Sequence, residues 1–246
     1  RQSWHRLGVV GLGAVLMLGA GMSARSGAGP VATEWVVGHN SKVRLIGAEI
    51  GAEGGGTRLL AGVEIELAEG WKTYWRTPGD SGGMPPEFDW DQSENVKTAR
   101  LLYPAPRRLE DSAGESVGYK GKVVFPIEIE ATDRGRPVEL RLGMLFGVCK
   151  DICIPADAEL TLTLPPMTGQ AGEGAQALID ARASVPVTLD GASDSLPRIE
   201  AIAAELTGDD PRLIIDARFA AGAAGADLFI ETDDWSYLPQ PKKLSG

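Results

Sequence analysis

Residues 138–164 read V-E-L-R-L-G-M-L-F-G-V-C-K-D-I-C-I-P-A-D-A-E-L-T-L-T-L, and both ends of this stretch carry the same signal. Val138, Leu140, Leu142 and Met144 alternate with polar or small residues, as do Ala158, Leu160, Leu162 and Leu164. Each half therefore predicts a strand with one buried face. Between them, residues 146–155 hold the only two cysteines of the 246-residue sequence, Cys149 and Cys153, on a turn joining two strands. A rigid scaffold that presents reactive groups on an exposed turn is a common division of labour.

A bond between Cys149 and Cys153 would close a ring of about five residues, which restrains the unfolded chain by only about 2 kcal/mol on the loop-entropy estimate. A chain this long buries enough apolar surface to fold without so weak a staple. Thiolate attack and reversible oxidation account for an isolated tight pair better than a purely structural disulfide does, and both readings stay open at this point.

Outward from the hairpin the period-two pattern repeats. Residues 42–50 (K-V-R-L-I-G-A-E-I) and 58–67 (R-L-L-A-G-V-E-I-E-L) flank a turn at Glu53-Gly54-Gly55-Gly56. Residues 71–76 (W-K-T-Y-W-R) form a strand-like hexamer, stopped by the 78–86 loop, whose prolines lack donors and whose glycines favour open backbone angles. Trp71, Tyr74, Trp75, Phe88 and Trp90 crowd into twenty residues and are expected to fill a core between two sheets. Residues 96–103 and 119–130 add strands, with Pro126 marking the second as an edge or bulge position, while 109–118 reads as an exposed acidic loop. Seven or more short strands without interleaved helices predict an all-β sandwich over 34–166.

After Pro165-Pro166, the residues Ala175, Leu178, Ile179 and Arg182 recur at helical spacing, so a linker helix is expected within 167–184. Residues 185–189, 199–206, 212–219 and 227–231 read as four strands of a second, small β unit over 185–246, which we expect to continue in a longer native chain.

The net charge is −10, so the acidic surface disfavours nucleic acid and anionic lipid as partners. At the other end, Arg1, His5 and Arg6 precede an apolar run over 7–20, followed by small residues at Gly21, Ser23, Ala24, Ser26 and Ala28. That pattern predicts a secretory signal peptide over 1–28, and the run is short and glycine-rich for a membrane anchor. Export to an oxidising compartment lets a disulfide persist or cycle. Zinc takes four ligands, yet His39 is the one histidine beyond the leader, so neither a metal nor another cofactor is expected. The same shortage disfavours Cys-His and Ser-His-Asp catalysis. Copper-delivering proteins of the Sco type also carry a C-x3-C pair, but they resemble thioredoxin in fold and use a distant histidine.

The stretch Gly147-Val148-Cys149-Lys150-Asp151-Ile152-Cys153-Ile154-Pro155 resembles the N-terminal periplasmic domain of the DsbD/ScsB protein-disulfide reductases. Residues 70–82 (G-W-K-T-Y-W-R-T-P-G-D-S-G) are similar to a signature of the ScsB-like branch, and 119–127 (Y-K-G-K-V-V-F-P-I) resembles the family's strand ahead of the cysteine hairpin. The resemblance covers about 34–166 and implies an immunoglobulin-like sandwich. It also implies a relay in which a DsbD-type membrane domain, in this or another chain, and thioredoxin-like periplasmic proteins exchange electrons with the pair. By family position Cys153 forms the mixed disulfide and Cys149 resolves it. The best-studied branch separates its cysteines by five residues and shields them with an aromatic cap loop. Here three residues intervene, and the matching loop keeps Glu110 and Asp111 but carries Ser112-Ala113 at its tip. A non-catalytic envelope adaptor with an inert disulfide is the rival from another class.

Overall fold

The computed structural model describes residues 30–111, 114–172, 175–188, 196–207, 211–220, 222, 224–231 and 239–244. The expected signal peptide over 1–28 lies outside them. In chain order the strands are β1 (Val31–Ala32), β2 (Val36–Gly38), β3 (Ser41–Gly51), β4 (Thr57–Leu67), β5 (Lys72–Tyr74), β6 (Glu87–Asp89), β7 (Val96–Leu101), β8 (Arg107–Asp111), β9 (Gly114–Lys120), β10 (Lys122–Ala131), β11 (Val138–Cys149) and β12 (Cys153–Leu164). The helix α1 (Gln176–Ala183) and a separate hairpin of β13 (Arg198–Glu205) and β14 (Arg212–Arg218) follow. Among the described residues no helix is long and apolar enough to cross a membrane.

The first twelve strands form two antiparallel sheets. One runs β1-β3-β4-β10-β7 with β2 on β3, and the other runs β12-β11-β5-β9-β8 with β6 on β11. Alternation in each strand sends one set of side chains between the sheets. Leu45, Val63, Phe125, Leu140, Phe146 and Val148 are all buried there. Phe125 is the aromatic hub, with Phe88, Tyr103 and Tyr119 meeting it edge-on at 5.7, 5.6 and 5.2 Å between ring centres. The result is the all-β sandwich that the strand pattern predicts, immunoglobulin-like as the resemblance implies, followed by a short helix and a small β unit.

Three local readings need correction. Residues 109–118 are not an exposed loop: β8 and β9 pair as a hairpin, because Leu109, Ser116 and Val117 are buried and their partners lie across the ladder. Pro126 is neither on an edge strand nor at a bulge. β10 pairs with β4 and β7, and Pro126 sits opposite Gly62, one residue before the β7 ladder begins at Ile127. Its carbonyl accepts from Leu102 N at 2.8 Å, so its missing donor falls just beyond the end of β7. Of the four strands expected after residue 184, two form. Residues 185–188 and 227–231 are irregular among the described residues, and 227–231 lie instead against the sandwich.

The linker is fastened to the first sheet. α1 buries Leu178 against Ile46, Leu60 and Val124, and Gly62 makes the room: a Cβ there would stand 2.9 Å from the Leu178 side chain. Glu49 accepts hydrogen bonds from Thr57 Oγ1 and, at 2.7–2.9 Å, from Thr168 N, Thr168 Oγ1 and Gly169 N. Glu128 bonds Arg100 and, at 2.7 Å, Arg182 of α1. Burial pushes both carboxyls up, and the hydrogen bonds overcome it, leaving each below the ordinary value of 4.5.

A depressed folded-state pKa stabilises the fold fully above the unfolded-state value, and that contribution is lost as pH falls through the folded value. Urea unfolding followed across the acid range should therefore show stability falling once pH drops below about 4.5. The double variant Glu49→Gln, Glu128→Gln should be less stable at neutral pH and show a flatter acid slope; an unchanged slope would refute the assignment.

Candidate active site

β11 and β12 pair along their whole length, from Val138 opposite Leu164 to Cys149 opposite Cys153. The cysteines thus form the last rung before the turn, with Cα atoms 4.1 Å apart and their sulfurs joined as a disulfide. Lys150 N closes the turn by donating to Ile152 O at 3.0 Å. The two sulfurs have unequal surroundings because the strands have unequal places in the sheet. β12 is an edge strand, and Cys153 is exposed. β11 is interior at this end, where Cys149 also pairs with Lys72 of β5, and Cys149 is only 1% exposed.

Alternation divides the residues around this rung into two sets. Phe146, Val148, Trp75, Val117 and Tyr119 enter the sandwich core. Lys72, Tyr74, Leu109, Ser116 and Cys149, of opposite parity, lie on the outer face of the same sheet and are nevertheless buried. The 78–86 loop covers part of that face. Gly147 N donates to Met84 O at 3.0 Å, Val117 N to Pro78 O at 2.7 Å, and Ser81 N to Glu115 O at 3.1 Å. Two glycines permit the close approach: a Cβ on Gly83, at φ +154°, would stand 2.4 Å from the Tyr74 ring, and one on Gly147 would stand 3.0 Å from Met84.

Within this covered face the Tyr74 hydroxyl lies 3.2 Å from Cys153 Sγ. A disulfide sulfur has no proton, so the phenol is the donor. Lys72 Nζ donates to Ser116 Oγ at 2.7 Å and stands 5.4 Å from the centre of the Tyr74 ring, while Ser116 Oγ donates to Leu109 O at 3.3 Å. At the rim, Ile152 is 65% exposed, the Lys150 side chain lies over Gly70, and Trp71 meets His39 edge-on at 5.7 Å.

Both candidate residues named from the sequence, Cys149 and Cys153, come together. The flanking charges Lys150 and Asp151 are exposed, so neither is a buried neighbour of the sulfurs. Glu110 is exposed on β8, and Ser112, Ala113 and the Asp111 side chain lie outside the described residues. Lys72, Tyr74 and Ser116 were missed. Tyr74 belongs on the sulfur side and not in the core with Trp75, and a parity count along residues 71–76 carries that signal: Trp71, Thr73 and Trp75 share one face, Lys72 and Tyr74 the other.

Segments that follow the linker reach the same sheet. Arg108 of β8 bonds Asp227 at 2.8 Å and Glu115 at 2.7 Å, Arg76 pairs with Glu231, Phe229 meets Trp75 edge-on at 5.8 Å, and Gln240 N donates to Asp80 at 2.9 Å. A cleft of about 540 Å³ between these segments and the sheet is lined by Asp80, Arg108, Asp227 and Lys242 and contains neither cysteine. Disulfide exchange requires a reachable sulfur, which the hairpin edge supplies.

Comparison with known proteins concerns the sandwich that carries this hairpin. Residues 50–165 match the family described as thiol:disulfide interchange protein DsbD, N-terminal. The crystal structure of the N-terminal periplasmic domain of ScsB from Proteus mirabilis is similar at 28% identity and a TM-score of 0.50, over 70% of this chain and 64% of that one. The chain thus spans less than two thirds of that domain's length. The N-terminal domain of Neisseria meningitidis DsbD in its reduced form shows 15% identity and a TM-score of 0.25, over 49% of this chain and 90% of that one. No curated protein sequence matches the chain.

The covering loop should be sensitive to Gly83. Gly83→Ala forces a side chain onto the Tyr74 ring at a backbone angle that favours glycine, and a loss of about 1–3 kcal/mol is expected in urea unfolding. Proteolysis within 78–86 and reduction of the disulfide by a small phosphine should both become faster. Unaltered rates would mean that the loop does not cover this face.

Proposed function

Because residues 50–165 belong to the DsbD/ScsB family of N-terminal thiol-disulfide interchange domains, we propose that Cys149 and Cys153 are a working redox couple of a periplasmic protein-disulfide reductase. The observation that carries this reading is the asymmetry of the pair: one sulfur is exposed on an edge strand beside a tyrosine hydroxyl, and the other is buried one rung across.

In the proposed reduction, a thiolate of a thioredoxin-like donor attacks Cys153 Sγ. A bond forms between the donor sulfur and Cys153, the Cys149–Cys153 bond breaks, and its electron pair leaves on Cys149 Sγ. The donor's second thiolate then attacks its own partner sulfur and releases the Cys153 thiolate, toward which the Tyr74 hydroxyl is already directed. In the forward relay the Cys153 thiolate attacks an oxidised acceptor, and Cys149 resolves the mixed disulfide, regenerating the Cys149–Cys153 bond and releasing a reduced acceptor. The donor in turn draws on a DsbD-type membrane domain in this or another chain. No metal or organic cofactor enters these steps.

Thiol trapping across a series of redox buffers tests the reading. A potential within the range of exchange proteins supports it, whereas one below about −300 mV marks the inert disulfide of an envelope adaptor. With a thioredoxin-like partner, Cys149→Ala should accumulate a mixed disulfide at Cys153 on non-reducing gels, and Cys153→Ala should trap far less. If only Cys153→Ala traps the partner, the two roles are reversed.

A further inference from the structure

A protein that exchanges disulfides here must bring its own sulfur within bonding distance of Cys153 Sγ, so part of its chain lies against the end of β12. That strand is the last of its sheet, and among the described residues no strand pairs with its outer side. β1 and β2 run near it, but both pair with β3. Which of its backbone groups face outward follows from the ladder. Gly147 N donates to Met84 O, away from β12, so by alternation Phe146 and Val148 turn their backbone groups toward β12, where Ala156 and Ile154 stand opposite. Lys150 N, donating to Ile152 O, continues the same alternation into the turn. Cys153, Pro155, Asp157 and Glu159 alternate with those bonded positions, so their backbone groups point to the open edge.

We propose that this edge accepts a partner strand for one residue only: the N–H and C=O of Cys153 pair with an extended backbone segment beside the partner's reactive cysteine, and Pro155 ends the pairing. The inference rests on the hairpin being a redox couple and concerns how its protein partner docks. Cys153 is exposed and carries both groups that a neighbouring strand needs. Two residues on, Pro155 has no N–H, and its ring fills the space into which that N–H would point. The exposed carboxylates of Asp157 and Glu159 follow on the same edge, and edges guarded by proline and charge resist strand addition. On the other side the strand stops, because Lys150 N closes the turn onto Ile152 O at 3.0 Å. The open window therefore coincides with the reactive residue. Main-chain pairing there fits a protein thiol carried next to an extended segment, and it reads backbone shape before sequence.

The test uses the full chain carrying Cys149→Ala, with Cys153 joined either to a thioredoxin that retains only its attacking cysteine or to cysteamine, which caps the sulfur but offers no backbone. Amide hydrogen exchange is followed residue by residue by NMR. The Cys153 amide should exchange at least about tenfold more slowly in the thioredoxin adduct than in the cysteamine adduct, while the Asp157 and Glu159 amides match between the two. Equal Cys153 rates would overturn the proposal. Equal slowing at Asp157 and Glu159 would also overturn it, since the paired edge would then run past Pro155.

A second measurement separates pairing from mere covering of the amide. Extended peptides with a central cysteine, activated as mixed disulfides, are reacted with Cys153 of the same variant while an N-methyl group is moved along the peptide backbone. Methylation at one nitrogen should slow adduct formation by about fivefold, the loss expected of one hydrogen bond, while rates with N-acetylcysteine stay the same. Adding Pro155→Ala should make a second nitrogen, two residues away, sensitive as well, and an unchanged pattern would overturn the stop assigned to Pro155. If no methylated position slows the reaction by more than about twofold, the pairing falls. If thioredoxin forms no adduct with Cys149→Ala, the redox reading fails and this inference fails with it. If the adduct forms and leaves the Cys153 amide unprotected, only the mode of docking falls.

Discussion

The rung that Cys149 shares with Cys153 on one side and Lys72 on the other is the constraint on which the hairpin end of the molecule depends. In an antiparallel ladder a slip of one residue exchanges the two faces of a strand. Here such a slip in β5 would carry Tyr74 and Lys72 into the sandwich and expel Thr73. What prevents it is apolar burial on the far face, where Trp75, Val117, Phe146 and Val148 pack into the core. The hydrophobic pattern of one face thus sets the position of every polar group on the other. Gly118 completes the arrangement, since any Cβ there would stand 2.1 Å from the Thr73 carbonyl oxygen of the neighbouring strand.

Edge strands are usually a liability, because their unpaired backbone groups invite association. β12 uses its place at the edge to leave one sulfur exposed, while β11 keeps the second sulfur inside the sheet. Around that edge the rest of the chain is secured. Glu49 and Glu128 fasten the linker to the first sheet, and Arg76 and Arg108 hold the 227–231 segment against the second. The segments that surround the sandwich are thus bonded to it through named side chains.

Much of this was legible from residue types alone. The long alternating runs on either side of Cys149 and Cys153 form a hairpin of twelve-residue strands, because burial of one face is worth more than any local preference. The helix was legible from the spacing of Ala175, Leu178 and Arg182, of which Leu178 is almost fully buried. Residues 109–118 misled because acids and glycines dominate their composition, whereas Leu109 and Val117 decide their structure. Pro126 misled because a missing donor matters only where a neighbouring strand would have accepted it, and β7 ends one residue earlier. The 227–231 segment alternates like a strand yet finds its partners as single side chains, Asp227 on Arg108, Phe229 on Trp75 and Glu231 on Arg76.

By itself the sequence determined the class of fold, the location of the cysteine turn and the chemistry that an isolated pair of thiols allows, since alternation and residue spacing are local properties of the chain. Which sulfur is exposed, and which hydroxyl stands beside the pair, only the tertiary structure decided. Lys72, Tyr74 and Ser116 lie 33 to 77 positions before Cys149, and no local pattern relates them to it. They meet because β5 inserts between β9 and β11, and strand order in a sheet is fixed by the joint packing of both faces.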